Sequence, residues 1–243
     1  MLFLLAAAGF WAGAQNALAG GGSFITFPAL LLAGLDPRAA NITSCVALFP
    51  GQIAMSWSGR QAAGGVGKLG LRALIAISLV GGILGALLLL ATPASFFAKL
   101  VPWLVLFATL VFALGDPIRK HLPRHAKLPP WLLGAIQLAI SIYGGYFGGG
   151  IGFLMLAALT LAGQALRMAA TTKNLLATMM NASAVVVFAF SSDVHWQGGL
   201  AMAAGSVFGG LSGSWLLLRL PDRPLRIAII LIGATLTAWL FWR

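Results

Sequence analysis

A glycine-rich break falls inside an over-long apolar stretch, and it does so twice. Gly20-Gly21-Gly22-Ser23 interrupts a block spanning 2–33, and Gly148-Gly149-Gly150-Ile151-Gly152 interrupts a block spanning 131–163, with the breaks 128 residues apart. The residues beyond each break also repeat in order. Ala33-Gly34, Arg38, Ala40 and Thr43 return as Ala162-Gly163, Arg167, Ala169 and Thr172, and Gly81-Gly82, Gly85 and Pro93 return as Gly209-Gly210, Gly213 and Pro221. An ordered series with only one-residue slips marks two homologous halves. Interrupted membrane segments at matching places in two halves are the sequence pattern of a secondary transporter.

With 60% of residues hydrophobic and 8% charged, the chain falls far below the charged share of about a quarter found in soluble domains. It reads as an all-α polytopic membrane protein, since strand-length alternation is missing and only helices or closed barrels span a bilayer. Three units result: a first transmembrane repeat (1–115), a basic linker (116–130) and a second repeat (131–243). The net charge of +11 sits on residues flanking apolar spans. It therefore points to anionic lipid head groups and not to nucleic acid. The start Met-Leu-Phe-Leu-Leu is like a signal peptide but lacks a basic n-region, and cleavage near Ala19 would destroy the repeated motif, so it is read as membrane helix. The lone Cys45 forms no disulfide framework. No P-loop, HExxH or GxGxxG-plus-helix pattern suggests a cofactor or ATP-driven pumping. No cofactor is expected.

Each half carries four apolar blocks: 2–33, 40–58, 70–92 and 97–115, then 131–163, 172–191, 199–218 and 225–242. The first of each half would be about 48 Å long as one helix, against a hydrocarbon core of roughly 30 Å. Charge placement chooses between one tilted crossing and a hairpin of half-helices. Single crossings divide the lysines and arginines eight to seven, which orients nothing. Hairpins gather Arg60, Lys68, Arg72, Arg119, Lys120, Arg124, Lys127, Arg167, Lys173, Arg219, Arg223 and Arg226 on one side, against Arg38, Lys99 and Arg243. The hairpin is preferred. A hairpin plus three transmembrane helices per half makes the halves inverted repeats, with both termini outside and the linker cytoplasmic.

The tips supply the chemistry. In a hairpin of half-helices, backbone N–H groups at the start of the returning helix carry partial positive charge and favour an anion. The candidate substrate-binding residues are therefore Gly20, Gly21, Gly22 and Ser23 at the first tip and Gly148, Gly149 and Gly150 at the second. Thr43, Ser44, Thr172, Lys173 and Asn174 open the next block of each half and are expected to complete the site. Gln52 and Asn181, at matching depth, face either a cavity or a neighbouring helix. Asn16, Tyr143 and Tyr146 either donate to an oxyanion or cap the hairpins, while the pairs Gly81-Gly82 and Gly209-Gly210 read as helix packing. The chain has no Glu, and Asp36, Asp116, Asp193 and Asp222 all lie at block ends. A cationic Lys173 without acidic neighbours suits an anionic ligand, and His195 reads as a surface group.

The run Gly20-Gly21-Gly22-Ser23-Phe24, Pro28, Gly34, Pro37, Ala40, Thr43-Ser44 resembles the first repeat of the sulfite exporter TauE/SafE family. The run from Gly148 through Arg167, Thr172 and Asn174 resembles its second. The resemblance covers essentially the whole chain. It implies a permease of a bacterial-type inner membrane for small anions such as sulfite, sulfoacetate or related sulfonates. Leu156 and Leu166 stand where the first repeat has Pro28 and Pro37, so the halves need not contribute equally. The expected function is secondary transport of a small anion by alternating access. The alternatives are an anion channel and an uptake permease for a small organic carboxylate. Three histidines, one cysteine and no paired intramembrane acids argue against an enzyme. The expected partners are the anion and membrane lipids.

Overall fold

Every apolar block becomes helix, and the two longest become two helices each. The computed structural model describes residues 1–18, 21–121, 129–216 and 222–242. Among these residues the first half holds α1 (Leu2–Leu18), α2 (Ser23–Leu32), α3 (Pro37–Gly59), α4 (Leu71–Ala91) and α5 (Ala94–His121). The second holds α6 (Pro130–Tyr146), α7 (Ile151–Leu161), α8 (Leu166–Phe188), α9 (Trp196–Leu216) and α10 (Asp222–Trp242). No strand is formed among the described residues, only an isolated bridge between Val66 and Leu69. Helix α5 continues past the apolar block to His121. Gly20 and the linker residues Arg124 and Lys127 lie outside the described residues.

Helices α2 and α7 have 10 and 11 residues, about 15 Å each and so about half a hydrocarbon core. Both end in the same way. Gly34 (φ +93°) and Gly163 (φ +96°) adopt the left-handed region, where glycine carries no Cβ penalty. Each closes its helix with a matching pair of bonds: Gly34 N to Leu31 O and Leu35 N to Leu30 O, against Gly163 N to Thr160 O and Gln164 N to Leu159 O. After that turn Asp36 caps α3, its Oδ1 accepting from the Arg38 and Ala39 amides at 3.0 and 3.2 Å, with Pro37 at the first helical position. Helices α4 and α5 include the stretches Leu71–Ala91 and Ala94–Val111, each long and apolar enough to cross a bilayer alone.

Packing pairs the halves. Helix α1 runs along α9 as α6 runs along α4, and α3 lies against α9 as α8 lies against α4. Glycine makes these approaches close. Gly9 sits on Met202, Gly13 on Ser206, Gly209 on Phe10 and Gly213 on Ala14, while Gly81 sits on Ser141 and Gly85 on Ile142 and Tyr146. A Cβ at Gly213 would lie 2.6 Å from Ala14 Cα, and one at Gly85 would lie 2.8 Å from Tyr146 N. This is small-residue packing as membrane helices use it, and Gly81-Gly82 and Gly209-Gly210 have the packing role their sequence suggests. Two apolar cores form. One gathers Phe27, Leu30, Phe97, Val101 and Phe188 beside the first hairpin, the other Leu74, Leu133, Met155, Leu159 and Leu176 beside the second.

Contacts fix the helix directions. Helices α3 and α8 are antiparallel, since Ser56 late in α3 meets Asn174 early in α8, whereas Cys45 meets Asn181. Helices α5 and α10 are antiparallel too, with Trp103 stacked on Phe241 and Gly233 against Thr109. Leu5 of α1 lies beside Gly198 at the start of α9, and the far end of α2 reaches the same level through Arg38, which pairs with Asp193. The α1–α2 hairpin therefore opens toward the end holding the α8–α9 turn, the upper end of the molecule. The α6–α7 hairpin opens toward the other, lower end, where Gln164 bonds Gly64 of the α3–α4 turn.

Gly85→Val and Gly209→Val should each cost about 1–3 kcal/mol or more, because the added methyls meet backbone that cannot give. Gly134→Ala meets only Ile77 Cδ1 at 3.6 Å and should be neutral. Thermal melting of detergent-purified variants checks this, and equal melting of all three would refute the packing account.

Candidate functional site

Each tip is tied by a side chain from the helix that precedes it. At the first, Gln15 Nε2 donates to Gly21 O at 3.0 Å, while Asn16 Oδ1 accepts from the amides of Gly21 (2.9 Å) and Gly22 (2.7 Å). At the second, Tyr143 Oη donates to Gly149 O at 2.8 Å. Gln15 and Tyr143, like Gly21 and Gly149, are 128 residues apart, so one clamp is built twice from different side chains. Tyr143 thus caps its hairpin. Tyr146 Oη reaches Thr92 Oγ1 at 3.4 Å, and its carbonyl accepts from Asn41 Nδ2 of α3 at 3.0 Å. Gly148 and Gly150 hold φ of +82° and +76°, which turns the chain from α6 into α7.

Between the tips, α3 and α8 cross through polar contacts. Asn181 Nδ2 donates to Gln52 Oε1 at 2.6 Å, Ser56 Oγ donates to Asn174 O at 3.1 Å, and Ser56 and Thr178 share a hydroxyl hydrogen bond. A cavity of about 50 Å³ lies among the two tips, α3 and α8. Of the expected site residues, Gly21, Ser23, Ser44, Gln52, Gly148, Lys173, Asn174 and Asn181 line it. Gln52 and Asn181 do both things open to them: they line the cavity and bond each other across the helices.

Gly22, Gly149, Gly150, Thr43 and Thr172 do not line the cavity. Gly22 and Gly21 spend their amides on Asn16, so these N–H groups are not free for an anion. Gly149 faces Phe147 and Ala108, and Gly150 packs on Ala108. Thr43 Oγ1 accepts from the His195 amide at 3.0 Å, and Thr172 Oγ1 accepts from the Gly64 amide at 3.0 Å. The two threonines thus hold each half to a turn of the other, at opposite ends of the molecule. His195 accepts at Nδ1 from the Gly198 amide at 3.1 Å and so closes the start of α9. Gly20 lies outside the described residues.

Asn41, Cys45, Phe147 and Thr178 also line the cavity, and sequence reading did not select them. A helical signal was there for three of them. Asn41, Cys45, Leu48, Gln52 and Met55 share one face of α3, as Lys173, Asn174, Ala177, Thr178 and Asn181 share one of α8.

Electrostatically the cavity is one-sided. Lys173 is 5% exposed, and among the described residues lining the cavity it is the one cation, with no carboxylate beside it. Asp36 is used as the α3 cap and Asp193 pairs with Arg38 at 2.9 Å, both at the upper end. A buried ammonium without an acid partner has a strong demand for a counter-charge.

Broken helices that meet at a cation-bearing cavity, inside an otherwise apolar helical bundle, have the build of a membrane transporter. The chain belongs to the TauE/SafE sulfite exporter family, which matches it over residues 5–240. A Haemophilus influenzae protein named a probable membrane transporter protein is 30% identical over 245 residues, covering 98% of this chain and 93% of the relative. A Sinorhizobium protein, probable membrane transporter protein ORF9, is 33% identical over 222 residues, covering 88% of this chain and 82% of its own length. Probable membrane transporter protein YfcA of Escherichia coli K12 is 30% identical over 237 residues, covering 95% and 86%. The chain is an integral membrane protein of this transporter family.

Gly150→Ala should cost about 1–2 kcal/mol through its backbone conformation alone, since a Cβ there has its nearest neighbours at an ordinary 3.5 Å. Tyr143→Phe should cost about 1 kcal/mol by freeing the Gly149 carbonyl. Melting curves read both, and an unchanged Gly150→Ala protein would contradict the left-handed turn.

Proposed function

We propose that the chain is a secondary carrier of small oxyanions, sulfite and sulfonates among them, working by alternating access in a bacterial-type inner membrane. The observation that carries this reading is Lys173, buried in a cavity between two helix breaks with no acidic partner among the described residues. An anion supplies the missing counter-charge, and the Ser23 hydroxyl and the Asn174 amide supply donors, while the Ser44 hydroxyl is shared with Thr26. The family is one of sulfite exporters by name, which puts sulfur oxyanions first among the candidates.

Alternating access needs two halves that can exchange roles, and the helix directions support inverted repeats. The matching helices α3 and α8 run antiparallel, and the two hairpins open toward opposite ends. Arg60, Lys68, Arg72 and Arg167 belong to the turns of the lower end, so the positive-inside rule makes that end cytoplasmic. Lys173, counted by sequence on that side, sits in the cavity instead. Its removal from the tally does not change the direction. Export of an anion down an inside-negative potential is driven by about 2.3 kcal/mol per charge per 100 mV, which requires no coupling ion.

Two measurements test this reading. Lys173→Gln should weaken binding of sulfite or sulfoacetate about tenfold to a hundredfold, the worth of one charge-assisted hydrogen bond, as read by calorimetry on purified protein that still melts normally. Wild-type affinity in that variant would remove the lysine from the site. In a Cys45→Ser background, a cysteine at Ser192 should label from outside intact cells and one at Lys68 only after permeabilisation. Labelling of both from one side would overturn the inverted arrangement. Saturable counterflow in proteoliposomes separates a carrier from a channel.

A further inference from the structure

Lys173 is not the sole donor group at this cavity. Asn16, at the end of α1, lines it and is 8% exposed. Its Oδ1 is committed to the Gly21 and Gly22 amides. Two donors opposite one side of the amide fix its orientation, because the NH2 group cannot accept in place of the carbonyl. Nδ2 is therefore the free end, and this buried donor has no hydrogen-bond partner among the described residues. Buried amide donors are rarely left so. The neighbouring Gln15 has no such surplus, since its Nε2 is spent on Gly21 O.

The second half shows that this donor is not a by-product of closing a tip. Tyr143 repeats the Gln15 clamp on Gly149, but the position matching Asn16 is Gly144. Gly144 lines the same cavity, and a Cβ there would run into Met180 Sδ. One tip thus carries a side-chain donor, and the other has a glycine packed beneath Met180 in its place. The donor is also a strong one. Accepting two N–H bonds at the positive end of α2 polarises the amide and makes Nδ2–H more positive.

We propose that Asn16 is the ligand-facing donor of the first tip: its Nδ2 hydrogen-bonds an oxygen of the transported oxyanion, and this bond selects oxyanions over halides. The inference rests on the anion-carrier reading and adds to it a residue and a basis for selectivity. A single directed N–H rewards an acceptor with localised lone pairs held at a fixed angle. Lys173 attracts any anion, so charge comes from α8 and shape discrimination from α1.

The test uses the full chain in nanodiscs, with sulfite, methanesulfonate and chloride as probes in calorimetric titrations. Asn16→Asp keeps an oxygen for the Gly21 and Gly22 amides and removes the donor. Asn16→Ser removes the amide Nδ2 without adding charge and leaves only a shorter hydroxyl in its place. Melting curves for both verify that the tip still closes. In Asn16→Ser, affinity for sulfite and methanesulfonate should fall about tenfold or more while chloride binding changes little, so that oxyanion selectivity collapses. Asn16→Asp should lose all three anions through repulsion yet melt close to wild type. Wild-type oxyanion affinity in Asn16→Ser, or an equal loss of oxyanion and chloride, overturns the assignment. If no probe binds wild-type protein, the anion reading itself falls and takes this inference with it.

Discussion

Inside a bilayer no water is present to satisfy a broken backbone, so a helix interrupted at membrane depth must find its partners in protein. That constraint organises this molecule. The first break is held by Gln15 and Asn16 reaching forward from α1, the second by Tyr143 reaching forward from α6. The last turn of α6 needs more, and Asn41 of α3 caps the Tyr146 carbonyl from the other half. Tips that depend on neighbouring helices must lie inside the bundle. The bundle can enclose them because glycine lets α1 approach α9 and α6 approach α4 almost backbone to backbone. The cavity is what remains between two half-helices that stop short and the two full helices, α3 and α8, that pass beside them.

The same economy governs how the halves hold each other. Thr43 takes the amide of His195 at the upper end, and Thr172 takes the amide of Gly64 at the lower end. Each threonine grips a turn of the opposite half near one mouth. In the proposed carrier these are the bonds that opening to one side would break while the other set stays closed. The two ends are nevertheless unequal. Arg38 adds an ion pair to Asp193 and a bond to the Thr92 carbonyl above, whereas its counterpart Arg167 below is exposed and Gln164 binds Gly64 through neutral groups. A partly exposed ion pair is worth little by itself, so the bias it adds to one end is modest.

The order and breaks of the helices were legible in the sequence because they are one-dimensional facts. A block too long for one crossing, cut by glycines and succeeded by Arg and Thr at repeated spacing, contains its own architecture. The site was legible only in part, for a geometric reason. Adjacent helical positions point about 100° apart, so a polar pair opening a helix need not send both members into one cavity. Thr43 faces the α9 turn while Ser44 faces the cavity, and Thr172 faces the α3–α4 turn while Lys173 faces the cavity. The tips illustrate a second limit. That Gly21 and Gly22 would spend their amides on a side chain five and six residues earlier is a matter of how the chain folds back, which no spacing rule states.

What the repeat does not repeat is the most informative part of the cavity. Gln52 and Asn181 are 129 residues apart and bond each other, a symmetric feature at the crossing of symmetric helices. Ser44 and Lys173 are also 129 residues apart, yet one is a hydroxyl and the other a cation, and Asn16 faces its counterpart Gly144 in the same unequal way. A cavity true to the duplication would carry two ammonium groups, which repel, or none, which leaves nothing to attract an anion into a low-dielectric interior. Divergence at these two pairs resolves that choice. In the proposed carrier the second half supplies the charge and the first supplies the directed amide, so a bound oxyanion bridges both halves. Any rearrangement that separates the halves at the ends must then keep them together at the ligand, which is the condition for a single site to serve both sides of the membrane.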